Sequence, residues 1–237
     1  MSTTFNFKQF KIEQDKCAMK IGTDAVLLGA WTPLTNNPYS VLDIGTGTGI
    51  LALMLAQRSN AEQIDALEID EDAYEQATDN FEESPWNDRL FCFHAGLDEF
   101  MDEPEDEYDI IISNPPFYTE DYKTESSQRD LARFEDALPF EDLIEAADLL
   151  LSEKGLFSVI IPFKEEERFL SLANDFELYP IKITRIKGTP TTEIKRSLLA
   201  FTKTQQTPLI DELIIEIARH QYTSEYINLT KDFYLKM

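Results

Sequence analysis

Gly45-Thr46-Gly47-Thr48-Gly49 comes directly after Ser40 to Ile44, an apolar stretch with Asp43 near its end, and directly before the helical run Ile50 to Gln57. Strand, glycine-rich turn and helix in immediate succession form the nucleotide-binding crossover of a doubly wound α/β sheet. Glycines there permit a tight turn and a close approach of backbone to ligand. The spacing separates cofactor classes. A dinucleotide fingerprint needs its third glycine where this chain has Ile50, and a Walker loop needs a Gly-Lys-Ser/Thr that does not follow. Asp43 ahead of the turn suits a ligand with an ammonium group better than one with a pyrophosphate.

Further apolar runs recur at the pace of the same fold. Gln63 to Leu67 reads as a second strand, running into Glu68-Ile69-Asp70 and then a helix from Glu71 to Glu82. Leu90 to His94 and Tyr108 to Ser113 are the third and fourth strands, and Phe140 to Leu151 a helix. Gly155 to Ile161 is the fifth strand, Lys164 to Asn174 another helix, and Ile181 to Ile186 and Ser197 to Thr202 the last two strands. The expectation is an α/β fold with a seven-stranded, mostly parallel, doubly wound sheet. Glu212 to Ile217 is a candidate extra strand, and Ser224 to Lys231 a short helix. Ahead of the core, Phe5, Phe7, Phe10 and Ile12, with lysines between them, read as a short β hairpin laid against the domain. Thr23 or Asp24 then caps an apolar helix ending at Trp31. With no repeat and no linker, one domain is expected over 1–237: an N-terminal extension (1–36), the core (37–204) and a C-terminal extension (205–237).

In open α/β sheets, ligands sit at the carboxyl ends of the strands. Glu68, about 20 residues past the glycine turn, stands where such a site places its acceptor for ribose hydroxyls, and Asp70 is left as a helix cap. At the end of the fourth strand, Ile110-Ile111-Ile112-Ser113 runs into Asn114-Pro115-Pro116-Phe117-Tyr118. Alone, Asn-Pro-Pro is as readily a rigid turn. On the ligand edge it becomes chemistry: Asn114 both donates and accepts, the Pro115 carbonyl is held in a restricted direction, and Phe117 offers a flat apolar face. A flat ligand with an exocyclic amine suits all three.

Net charge enters as a constraint on that ligand. At −24 it argues against broad nonspecific binding of nucleic acid, yet leaves room for local basic patches. Lysine and arginine gather in the N-terminal segment, in Lys123, Arg129 and Arg133 of the polar stretch 118–137, and from Arg185 to Lys203, which includes Lys195 and Arg196. Cys17, Cys92, His94 and His220 make neither a zinc pattern nor a disulfide framework, so no metal is expected. No run has the length of a membrane span or the form of a signal peptide, and a cytoplasmic protein is expected, with a monomer as the default.

Asp43-Ile44-Gly45-Thr46-Gly47-Thr48-Gly49, Glu68 and Ser113-Asn114-Pro115-Pro116-Phe117 together resemble the Rossmann-like methyltransferases that use S-adenosyl-L-methionine, in the branch that methylates exocyclic amines. The phenylalanine-rich start, the stretch Lys20 to Trp31, Arg129 to Phe134, Lys195-Arg196 and the tail Tyr226 to Leu235 resemble, more narrowly, the bacterial tRNA1(Val) adenine-37 N6-methyltransferases. The resemblance implies that Asp43, Gly45, Thr46, Gly47 and Gly49 line the methionine part of the cofactor, Glu68 its ribose, and Lys20 with Thr23 the pocket rim. It implies a catalytic corner of Asn114, Pro115, Pro116 and Phe117, with Asn114 also beside the cofactor. A tRNA anticodon stem-loop would be met by Phe117, Tyr118, Lys123, Arg129, Arg133, Lys195 and Arg196. Many relatives carry an acid for the cofactor's adenine amine where this chain has Gly96, which leaves the Leu97 backbone N–H to bind the ring. The same corner also serves the side-chain amide of a protein glutamine, a guanine amine of ribosomal RNA or adenine in DNA. A non-catalytic cofactor-binding RNA chaperone or assembly factor is the reading from outside enzymes, and it gives no reason for an intact Asn114-Pro115-Pro116-Phe117.

Overall fold

The computed structural model describes residues 3–34, 37–102, 107–116 and 138–237. All five residues of β3 (Ser40–Ile44) are buried, as befits a strand with helices on both faces. Beside it run β4 (Gln63–Glu68) and β6 (Tyr108–Ser113), with β5 (Leu90–His94) and β7 (Leu151–Pro162) outside them, all mutually parallel. β9 (Ile194–Thr202) returns antiparallel to β7, and β8 (Tyr179–Lys187) pairs antiparallel with β9.

The fold class stands as expected, but the count of seven strands is corrected to eight: β10 (Leu209–Ile214) lies parallel to β8, giving the order β10-β8-β9-β7-β6-β3-β4-β5. Only Leu213 of β10 is buried, and Leu209 and Ile210 are exposed at an open edge, so the alternation that marks a half-buried strand is missing from its sequence. Its backbone pairs three residues earlier than the extra segment expected from Glu212.

α1 (Thr23–Trp31), α2 (Ile50–Arg58) and α3 (Glu71–Glu82) cover one face of the sheet, burying Leu28, Leu53 and Phe81 against Val41, Ile110 and Ile112. On the other face, α4 (Leu97–Met101), α5 (Phe140–Leu150) and α6 (Glu166–Asp175) pack over Leu42, Ile111, Phe157 and Phe201. The short α4 had no counterpart in the expected elements. Gly22, rather than Thr23 or Asp24, is the N-cap of α1, with no side-chain cap bond; Asp24 instead pairs with Arg196.

β1 (Thr4–Asn6) and β2 (Lys11–Glu13) form the N-terminal hairpin. The tail locks it down. After α7 (Ser224–Thr230), Phe233 is buried, its carbonyl accepts from Lys8 N–H at 2.9 Å, and Tyr234 bridges to Phe7 with the two rings stacked 6.0 Å apart. Among the described residues no helix is long and apolar enough to cross a membrane.

Candidate active site

The three turn glycines all sit at positive φ: Gly45 at 71°, Gly47 at 58° and Gly49 at 82°. A side chain there would be strained, and a Cβ on Gly49 would also lie 2.5 Å from the Phe81 ring. The turn is tied to the tip of the next strand, because Gly45 N–H and Thr46 N–H both donate to the Leu67 carbonyl, at 3.0 and 2.9 Å. It therefore leaves the sheet along a single path.

Two carboxylates flank this turn. Asp43 is fully buried; its Oδ2 accepts from Thr46 Oγ1 at 2.5 Å and from Ala52 N–H at 3.2 Å, while its Oδ1 has no hydrogen-bond partner. Burial pushes the Asp43 carboxyl up to about 7, against the pull of the Thr46 and Ala52 bonds, with Glu68 adding to the rise. A buried acceptor left unsatisfied carries a cost that a cationic or hydroxyl donor placed over the turn removes. Glu68 spans the mouth: its Oε2 accepts from Gly47 N–H at 2.8 Å, and its Oε1 from Ile69 and Asp70 N–H at 3.0 Å each. A carboxylate has about four lone-pair positions, so one acceptor direction remains. Asp70 caps α3 by accepting from Ala73 N–H at 2.8 Å, as expected. Nearby, burial pushes the Cys17 thiol up to about 12, with Glu68 and Asp70 contributing, so it is neutral at physiological pH. These donors and acceptors fit a ligand that presents an ammonium group and ribose hydroxyls.

The Asn-Pro-Pro corner is placed by the neighbouring strand. Ser113 pairs with Ile44 in the β6–β3 register, and its buried Oγ donates to the Ile44 carbonyl at 2.8 Å. Asn114 and Gly45, the next residues after these two strands, therefore leave adjacent strands side by side, about 5 Å apart. Asn114 is half-buried, Pro115 buried and Pro116 half-buried. Phe117, Tyr118, Lys123, Arg129 and Arg133 lie outside the described residues.

Lys20 and Thr23 are exposed near the start of α1. That helix end reaches the ligand edge, since Asp24 Oδ2 accepts from Arg196 Nε at 2.8 Å and Arg196 sits opposite Pro162 at the end of β7. Arg196 is thus partly engaged within the protein, whereas Lys195 is exposed. Leu97 is half-buried at the start of α4; its N-cap, Gly96, has the Asp98 carboxylate folded over it, 2.6 Å from where a Cβ would stand.

Sequence reasoning missed the polar residues that fasten the rim. Asn80 exchanges bonds with the backbone of Glu13, accepting at 2.9 Å and donating at 3.0 Å, and donates to the Thr48 carbonyl at 2.9 Å. Gln76 accepts from Lys16 N–H and Gln14 from Ile21 N–H, each at 2.9 Å. A signal was present: Gln76 and Asn80 interrupt the buried stripe Ala73, Ala77, Phe81 of α3, and buried polar side chains on such a stripe need partners. Among the described residues, no cluster of three or more His, Cys, Asp or Glu is placed to hold a metal ion.

A glycine turn with flanking carboxylates at one strand end, beside an Asn-Pro-Pro corner at the next, on a mostly parallel sheet is the layout of a Rossmann-like methyltransferase. The Methyltransferase small domain family matches residues 21–177. Among solved structures, a predicted O-methyltransferase of Agrobacterium tumefaciens shares the fold with a TM-score of 0.68 at 20% identity, over 89% of this chain and 96% of that one. A protein of Flavobacterium johnsoniae named tRNA1(Val) (adenine(37)-N6)-methyltransferase is 74% identical over 234 residues, 98% of this chain and 100% of its own length. Proteins of the same name are 73% identical in Flavobacterium psychrophilum, over 98% of this chain and all of that one, and 45% in Bacteroides fragilis, over 98% of each. The chain belongs to the tRNA1(Val) (adenine(37)-N6)-methyltransferase family.

Proposed function

We propose that this protein transfers a methyl group from S-adenosyl-L-methionine to the exocyclic N6 of adenine 37 in the anticodon loop of tRNA1(Val), acting in the cytoplasm as a single domain. One observation carries the chemistry: Asn114 leaves β6 directly beside the glycine turn that follows β3, with Ser113 bonded across to Ile44. Asp43, Gly45, Thr46, Gly47 and Gly49 hold the methionine part of the cofactor, Glu68 offers its remaining acceptor direction to the ribose, and Lys20, Thr23 and Leu97 complete the rim. Bound S-adenosyl-L-methionine supplies an electrophilic methyl group.

The adenine amine is a poor nucleophile because its lone pair is delocalised into the ring. The Asn114 side-chain oxygen and the Pro115 carbonyl would accept hydrogen bonds from its two N–H groups, so the nitrogen pyramidalises and its lone pair is aimed; one of those protons passes to solvent as the new N–C bond forms and the methyl's bond to sulfur breaks. Pro116 stiffens the corner, and Phe117 with Tyr118 stacks on the unstacked base. Catalysis is then mostly alignment, with binding converting transfer into an effectively unimolecular step. Lys123, Arg129, Arg133, Lys195 and Arg196 meet the RNA backbone.

The test is incubation with labelled S-adenosyl-L-methionine and total tRNA from a strain lacking the gene, followed by nucleoside identification. Label in N6-methyladenosine of tRNA1(Val) is expected. Label in protein, with none in RNA, transfers the corner to a glutamine side chain, which the net charge of −24 accommodates.

A further inference from the structure

The ligand edge carries a second construction, on the far side of the Asn114 corner from the glycine turn. Phe163 follows Pro162 at the end of β7, and the Arg185 guanidinium carbon stands 5.5 Å from the centre of its ring. Arg185 is clamped there. Its Nη2 donates to Glu166 Oε1 at 2.7 Å and its Nε reaches both Glu166 oxygens, at 3.1 and 3.2 Å, while Ser197 Oγ also donates to Glu166. The Glu166 side chain is only 8% exposed, whereas that of Arg185 is 33% exposed and Phe163 is half-buried. Two residues further along α6 the arrangement recurs: the Arg168 guanidinium lies 5.8 Å from the Phe140 ring centre and is paired with Glu141 at 2.9 Å. Both pairs stand at the helix ends that follow β6 and β7, the end of the sheet where Asn114 emerges.

Each site combines a planar cation, an aromatic ring and a carboxylate that both fixes the plane and cancels the charge. Such a surface is poor at gathering phosphates, because the carboxylate beside the guanidinium repels them. It is well suited to nucleobases, which stack on aromatic rings and on guanidinium planes. It also answers how a chain of net charge −24 holds RNA: π-faces add to the few phosphate contacts its local basic residues make, so binding leans less on release of counterions.

We infer that Phe163–Arg185, continued by Phe140–Arg168, is a stacking track for unpaired nucleobases flanking the target adenine, with Glu166 as the positioning residue that holds the Arg185 plane. The inference rests on the RNA substrate proposed above. It is tested on the full chain with an unmodified anticodon stem-loop RNA, at 50 and 200 mM salt, with cofactor affinity and melting temperature measured in parallel. Arg185→Lys keeps the charge and loses the plane, Phe163→Leu keeps the bulk and loses the π-face, and Phe163→Tyr keeps both. The first two raise the RNA KM about tenfold at both salt concentrations, with kcat, cofactor affinity and salt slope close to those of the parent, and Phe163→Tyr restores the KM. A parental KM in Arg185→Lys and Phe163→Leu overturns the track while the methyl transfer reading stands. So does a rise explained by lost melting temperature or cofactor affinity. If the parent protein methylates no RNA, both fall.

Discussion

The two ends of the ligand edge hold their charges in opposite ways. Over β3 and β4, carboxylates are fixed by main-chain N–H groups: Glu68 by Gly47, Ile69 and Asp70, and Asp43 by Ala52 together with Thr46 Oγ1. Over β7, β9 and β8, cations are fixed by side-chain carboxylates: Arg185 by Glu166, Arg196 by Asp24 and Lys187 by Glu212. Backbone donors cannot be substituted away, so the first end is a shape written into a turn. The second is an assembly of exchangeable side chains. A cofactor common to many enzymes suits the first construction, and a substrate that differs between enzymes suits the second.

The largest effect is expected where the two ends meet. Asn114→Ala should lower kcat by about 10²–10³-fold, the range for losing one preorganised hydrogen-bonding group that acts mainly in the transition state, with cofactor affinity by calorimetry near normal. Parental turnover with the cofactor still bound would remove Asn114 from catalysis. Next, Gly49→Ala attacks the main-chain end. With φ at 82° and the new Cβ 2.5 Å from Phe81, it should cost about 2 kcal/mol in chemical denaturation and weaken cofactor binding. An unaltered cofactor affinity would show that the turn geometry is not what the ligand reads.

Asp43 gives a smaller, pH-dependent effect. Its folded value of about 7 lies above the ordinary 3.8, so the folded state binds the proton more tightly than the unfolded state. The resulting stabilisation is full below the ordinary value and is lost as pH rises through about 7. Between pH 6 and pH 8 the ligand-free protein should lose about 1 kcal/mol through this group, and Asp43→Asn should flatten that part of the profile in thermal melts. The smallest effect belongs to the side-chain end: Lys195→Ala should raise the RNA KM a few-fold and lower its salt slope by about 1. An unchanged slope would take Lys195 out of the phosphate contacts.

The same contrast explains what could be read without a structure. The glycine turn, Asp43, Glu68 and Asn114 are local: each is announced by neighbours in the chain, and the strand ends bring them to one edge. Glu166 and Arg185 lie 19 residues apart, Ser197 31 residues from Glu166, and Arg196 172 residues from Asp24. No periodicity links such partners, and a charged residue near a helix start reads equally well as a solvated one. β10 escaped for a different reason: an edge strand with a single buried side chain carries almost no pattern. The tail was conspicuous as a family mark. What it does mechanically, seating Phe233 in the core and Tyr234 against Phe7, emerges only when the two chain ends are seen together.

That meeting of hairpin and tail bears on the order of events in folding. Lys8 Nζ donates to the carbonyl of Lys231, 223 residues away, and Lys8 N–H donates to Phe233. Contacts of such separation close the largest loop a chain of this length can make, and they reward that closure only once everything between is in place. Without the tail the hairpin has no finished seat, and the segment from Lys16 to Thr23 keeps its bond from Lys16 N–H to Gln76 but loses the support of the hairpin that precedes it. The seating of Phe233 and Tyr234 therefore reaches, through the hairpin, the chain that leads into α1, so loosening the tail should loosen that segment before it disturbs the sheet.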